Sequence, residues 1–123
     1  MLPGTVRYTL WASVPFNLAA AYIILFPSSV LGRLVGLPPS PPLVYAALLA
    51  LLIALFGLVY GALAMRPTID RPSLGFAAAG KLSVFLTVLG LWLGGQASGG
   101  LLVLTSGDLA FGMLWGWWLV STA

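Results

Sequence analysis

Four stretches of this chain are long and apolar enough to cross a bilayer as helices, which limits the fold more than any other feature. They run from about Val6 to Phe26, Leu43 to Met65, Ser73 to Gly94 and Gly100 to Val120. A hydrocarbon core requires about 20 apolar residues in helical form. Within lipid, every backbone amide must be satisfied inside its own helix or in a closed barrel. These runs lack the period-two alternation of barrel strands, and four are too few to close a barrel. The expected fold is therefore all-α: an integral membrane four-helix bundle forming one domain over residues 1–123.

Charge supports this reading. Only 6% of the residues are charged, where a soluble domain carries about 25%. The first run follows Arg7 and exceeds the roughly 7–15 apolar residues of a signal sequence, so it is expected to be a retained helix. The chain has no Cys and no His, and its only acids are Asp70 and Asp108. That excludes disulfides and thiol chemistry, and it removes the usual ligands of haem, zinc and copper. No intrinsic cofactor or metal is expected. Five scattered cations do not form a nucleic-acid footprint either.

The connections differ in kind. Pro27, Pro38, Pro39, Pro41 and Pro42 bracket the first one and end helices there. Between them, Val30, Leu31, Leu34 and Val35 share a helical face, with Ser28 or Ser29 as N-cap. This segment is either a short interfacial helix or an ordinary loop. The second connection, Arg66 to Ser73, is polar, and Ser73 is the expected N-cap of the third span. Asp70, Arg66 and Arg71 there suit a solvated turn near lipid headgroups. The third, near Gln96 to Gly99, is short and predicts a tight hairpin.

Arg7, Arg66, Arg71 and Lys81 lie toward the side shared by the N-terminus and the second connection, and Arg33 lies on the other. The excess of cations predicts that both termini are cytoplasmic. Tyr8, Trp117 and Trp118 would form the inner aromatic belt, and Tyr45 and Trp92 the outer one.

Helices in lipid associate through close packing of small residues. The second span carries Ala50, Ala54, Gly57, Gly61 and Ala64 at alternating spacings of four and three. The third carries Gly80, Ser83, Thr87, Gly90 and Gly94, the fourth Thr105, Asp108, Gly112 and Gly116, and the first Thr9, Ser13, Asn17 and Ala20. Each stripe is expected to face the bundle. Because four stripes exceed what a monomer needs, one is also a candidate contact for a partner protein or a second copy.

Asp108 and Lys81 are the candidate functional charges. Each lies about eight residues inside its span, so about 12 Å deep. A charge at that depth costs about 2.5–3.5 kcal/mol and marks a candidate site. The two helices place them at similar heights. Their side chains, however, lean toward opposite ends of the bundle, and Lys81 has the reach to snorkel to the interface. An ion pair and two separately satisfied charges both remain open, as do a structural and a ligand- or proton-handling role. Asn17 follows Pro15, whose ring frees a carbonyl. It can bridge to another helix or satisfy that region. The Tyr60 hydroxyl is within possible reach of Lys81 or Arg66, and an interfacial anchor is the competing role.

Several short motifs carry a family resemblance: Asn17, Gly57-Leu58-Val59-Tyr60, Asp70-Arg71-Pro72, Gly80-Lys81 and Gly107-Asp108-Leu109. In these the chain resembles a group of small bacterial four-helix membrane proteins. It is similar to DoxX-like proteins in size and topology but does not share their motifs. The resemblance implies a multi-pass protein of the bacterial inner membrane and implies no activity.

Three function classes follow. One is an accessory or structural subunit of a larger membrane complex, packed through small-residue faces. Another is a small oligomeric carrier or binder of an apolar molecule, proton or ion, using Lys81, Asp108 and Asn17. An integral membrane enzyme ranks last, because no His is present to serve as a base and Gly94–Gly100 lacks the Lys of a phosphate loop. In a complex, Trp92, Trp115, Trp117 and Trp118 would offer ring faces to lipid, quinone or pigment.

Overall fold

The computed structural model describes residues 3–38 and 41–123. It contains α1 (Pro3–Leu25), α2 (Val30–Val35), α3 (Leu43–Ala64), α4 (Arg71–Leu93) and α5 (Gly99–Ser121). The four long helices are each long and apolar enough to cross a membrane. At 22 or 23 residues they reach about 33–35 Å, against a core about 30 Å thick. This is a multi-pass, all-helical bundle. Pro39, expected to help end a helix, lies outside the described residues.

Local chemistry sets the helix ends. Ser98 caps α5, its Oγ accepting from the Leu101 amide at 3.1 Å. Helix α4 begins two residues earlier than expected, with Asp70 and not Ser73 at the cap position. Pro72 fits the first turn, where its missing N–H costs nothing. Ser73 therefore falls inside the helix and donates its hydroxyl to the Asp70 carboxylate.

The segment after Pro27 is a helix and not a loop. Ser29 Oγ accepts from the Gly32 amide at 3.2 Å, and Gly36 ends the turn at φ +79°, a conformation that favours glycine. Helix α2 is also anchored. Ser98 Oγ donates to the Val35 carbonyl at 2.6 Å. A Cβ on Gly100 would stand only 2.4 Å from that same oxygen, so only glycine admits the contact. Val30, Leu31 and Leu34 remain exposed.

Two arginines fix the topology. Arg7 donates to the carbonyls of Ala64 at 2.6 Å and Pro67 at 3.3 Å, which places the start of α1 beside the end of α3. Arg71 donates to the Leu119 carbonyl at 2.6 Å and Thr122 Oγ1 at 2.7 Å, which places the start of α4 beside the end of α5. Each guanidinium satisfies carbonyls that a helix C-terminus leaves free, where the helix dipole also favours a cation. Both chain ends and the α3–α4 connection thus share one end of the bundle. Helix α2 and the α4–α5 turn share the other.

Helix α1 packs along α3, and α4 along α5. Glycine brings each pair close: a Cβ on Gly57 would meet Asn17 Cβ at 3.0 Å, and one on Gly112 would meet Leu82 Cγ at 2.8 Å. Gly61 faces Val14 and Trp11 in the same way. The apolar core (Val6, Leu10, Leu63, Ala64, Leu74 and Trp118 among others) gathers at the end that holds the chain termini.

The stripe on α4 does not pack inward. Gly80, Ser83, Thr87, Gly90 and Gly94 are all exposed, and a Cβ on Gly80 or Gly90 would meet nothing within 4 Å. The buried face of α4 is Leu74, Ala77, Ala78 and Lys81. At about 100° per residue, Lys81 and Ser83 lie about 200° apart, so one helix cannot bury both. Leaving Lys81 in lipid would cost about 2.5–3.5 kcal/mol, and that cost sets the rotation of α4. Gly116 also meets nothing within 4 Å, because its position has drifted off the face of Asp108 and Gly112. Trp115 and Trp118 lie inside the bundle. They are 0% and 7% exposed and belong to the core, while Trp92 and Trp117 face outward.

Candidate functional site

The bundle's buried polar groups converge at one level. Lys81 is the eleventh residue of α4 and Asp108 the tenth of α5, about 15 Å and about 14 Å from their helix starts. Lys81 Nζ donates to Asp108 Oδ1 at 2.8 Å and to Asn17 Oδ1 at 2.6 Å. The pair open at sequence level is therefore made, and among the described residues it is the only ion pair. The flexible four-carbon stem of lysine overcomes the opposite lean of the two side chains. The Lys81 and Asp108 side chains are 2% and 12% exposed, so water contributes little to solvating either charge.

Asn17 joins the other two long helices to this pair. Its Nδ2 donates to the Ile53 carbonyl at 2.9 Å, and its Oδ1 faces Lys81. It thus bridges α1 to α3 and α4, and these bonds use it away from the backbone near Pro15. Gly57 makes the contact possible. A side chain on a helix covers the turn before it, so a residue larger than glycine at position 57 would shield the Ile53 carbonyl. One cluster of three side chains and one carbonyl therefore ties all four long helices together.

Aromatic rings enclose the ammonium. Lys81 Nζ lies 4.9 Å from the Phe16 centroid, 5.0 Å from Tyr60 and 5.4 Å from Phe111. A desolvated cation gains up to about 2 kcal/mol from such a ring face. Tyr60 reaches Lys81 through its ring and is 4% exposed, which places it inside the bundle. Trp115 backs the enclosure, 5.4 Å from Tyr60 and 5.6 Å from Phe111, with Nε1 donating to Thr9 Oγ1 at 2.9 Å. Gly107 admits the Phe16 ring, since a Cβ there would lie 2.5 Å from Phe16 Cε2.

Phe16, Phe111 and the role of Gly107 were not singled out from the sequence, and Trp115 was named only as a ring face for lipid, quinone or pigment, although a signal was there. Phe111 and Trp115 follow Asp108 at i+3 and i+7, on the same helical face, and Phe16 directly precedes Asn17. The other charged sequence candidates lie apart from the cluster. Asp70, Arg66 and Arg71 are at the α3–α4 connection, and the packing glycines divide into inward Gly57, Gly61 and Gly112, outward Gly80, Gly90 and Gly94, and half-buried Gly116, where a Cβ would meet nothing within 4 Å. Among the described residues no group of three His, Cys, Asp or Glu is placed to hold a metal.

The cluster can hold the helices in register, and it can hold a proton on either partner. Apart from the Tyr60 ring, its residues line neither the cavity between α3 and α4 nor the one beside Pro27. No protein-family model, curated protein or solved structure matches the chain.

Proposed function

We propose that this chain is an accessory subunit of a larger membrane protein complex, docking through the outward small-residue face of α4. One observation carries the reading: from Leu82 to Leu93, the half of α4 beyond Lys81, no residue is buried. That half presents Ser83, Thr87 and Gly90 outward, and the hydroxyls of Ser83 and Thr87 donate to the carbonyls of Ala79 and Ser83 on their own helix. The face is thus flat, with its hydroxyls already bonded, the kind of surface on which a second helix approaches closely in lipid. The Asn17–Lys81–Asp108 cluster then serves as the lock that keeps α4 turned this way. The partner is another integral membrane subunit or a second copy. The membrane is a bacterial inner membrane, with both termini on the cytoplasmic side where Arg7, Arg66 and Arg71 lie.

Purification of the chain from its native membrane in a mild detergent tests the proposal. Co-migration with a stable set of membrane subunits, or as a homo-oligomer, is expected. Migration as a lone monomer would contradict it.

The burial of an ion pair near mid-membrane favours a second reading, a small carrier of a proton or ion. Proton or ion flux into liposomes that depends on Asp108 and Lys81 would support it. Flux unchanged by Asp108→Asn and Lys81→Ala would exclude it.

A further inference from the structure

The seam between α3 and α4 is open. These helices are consecutive in the chain, yet they touch only sparingly along their length. Between them lies a cavity of about 380 Å³. Its α3 wall is Phe56, Val59 and Tyr60, and its α4 wall is Phe76 and Ala77. Phe56 and Phe76 stack across it with centroids 6.2 Å apart. The Tyr60 ring that lines the crevice also lies 5.0 Å from Lys81 Nζ, so one ring borders both the crevice and the buried charges.

Volume and charge restrict the occupant. Two turns of a helix about 10 Å across occupy roughly 800 Å³, so a partner helix does not fit. The space lies at the low end of the roughly 300–1,000 Å³ of ligand sites, and its side walls are apolar except at Tyr60. Pro72 and Ser73, in the first turn of α4, close it at the end nearest the α3–α4 connection. That end of the bundle carries Arg7, Arg66 and Arg71 against Asp70 alone. Arg7 and Arg71 are held by helix carbonyls, and Asp70 accepts from Ser73. Arg66 is exposed and forms no ion pair among the described residues. An apolar slot at the end of the bundle that carries this excess of cations is complementary to an acyl chain with an anionic headgroup.

We propose that the α3–α4 crevice binds one acyl chain of an anionic phospholipid, with the headgroup phosphate at Arg66. This does not depend on α4 docking to a partner, because the crevice is lined by Phe76 and Ala77 and the outward face begins at Gly80.

The test reconstitutes the full chain with phosphatidylglycerol or phosphatidylcholine, each carrying the same photoreactive acyl chain. Labelled peptides are then mapped by mass spectrometry. Phosphatidylglycerol is expected to label the segments around Phe56 and Phe76 above the rest of the helix surface, and phosphatidylcholine is expected to label them several-fold less. Arg66→Gln should lower that preference about fivefold, the effect of one interfacial cation. Val59→Trp, at an exposed position, should remove the focused labelling by filling the slot. Equal labelling by the two lipids, or labelling spread evenly over α3 and α4, would overturn the proposal. If Val59→Trp fails to fold, the lipid comparison and Arg66→Gln still decide the matter.

Discussion

Lys81 and Asp108 stabilise the bundle only as a pair. Removing one partner leaves a buried charge without compensation, which costs about 3–5 kcal/mol, whereas replacing both by apolar groups of similar volume is neutral or better. Lys81→Met and Asp108→Leu should therefore each destabilise the isolated chain by about 3–5 kcal/mol. The combined variant should recover wild-type stability. Unfolding by SDS in mixed micelles measures all three. A double variant as unstable as either single one would mean that the charges act separately and not as a lock. Asn17→Ala should cost less, about 1–2 kcal/mol, in line with interhelical polar bonds in membranes.

At this scale the sequence was informative about identity and less so about contact. Depth alone singled out Lys81, Asp108 and Asn17, because a polar group in lipid is costly wherever the helix turns. Whether they meet depended on lysine reach and on the rotation of α4, which spacing does not encode. The aromatic enclosure was harder to read, since Phe16 and Phe111 are ordinary membrane residues until a cation is placed between them.

At the scale of elements, glycines of the same type have opposite roles. Gly112 lets Leu82 and the Ala78 carbonyl approach to 2.8 Å and 3.1 Å of where a Cβ would sit, beside the ion pair. Gly90 faces open space. Gly112→Val should destabilise the isolated chain by about 1–3 kcal/mol through overpacking. Gly90→Leu should leave it unchanged in the same unfolding assay and weaken only assembly. Equal loss from both substitutions would place Gly90 inside a packed interface of the monomer. The four spans themselves were legible to within a few residues, because length and hydropathy decide them. The inward stripes of α1 and α3, and α5 as far as Gly112, were legible as well. On α4 the small-residue pattern and the buried lysine made incompatible demands on one helix, and the larger energy decided.

For the whole molecule, the arginine contacts place the chain termini and the α3–α4 connection at one end. The chain has no cysteine, so introduced thiols report topology without background. In intact cells, Gln96→Cys should react with an impermeant maleimide, while Thr68→Cys and Ser121→Cys should react only after the membrane is opened. Labelling of Thr68→Cys and Ser121→Cys but not Gln96→Cys would invert the orientation. Which side faces the cytoplasm was read from a few cations, and Lys81 proves to be buried and paired, so the bias rests on Arg7, Arg66 and Arg71 against Arg33.

The outward face of α4 is the central feature of this molecule, and a photoreactive residue placed in it tests that face directly. Substituted for Thr87 and activated in native membranes, it should crosslink to a second protein chain. The same residue in place of Leu52, on the exposed surface of α3, should capture lipid. Capture of lipid alone from both positions would contradict a docking role for α4.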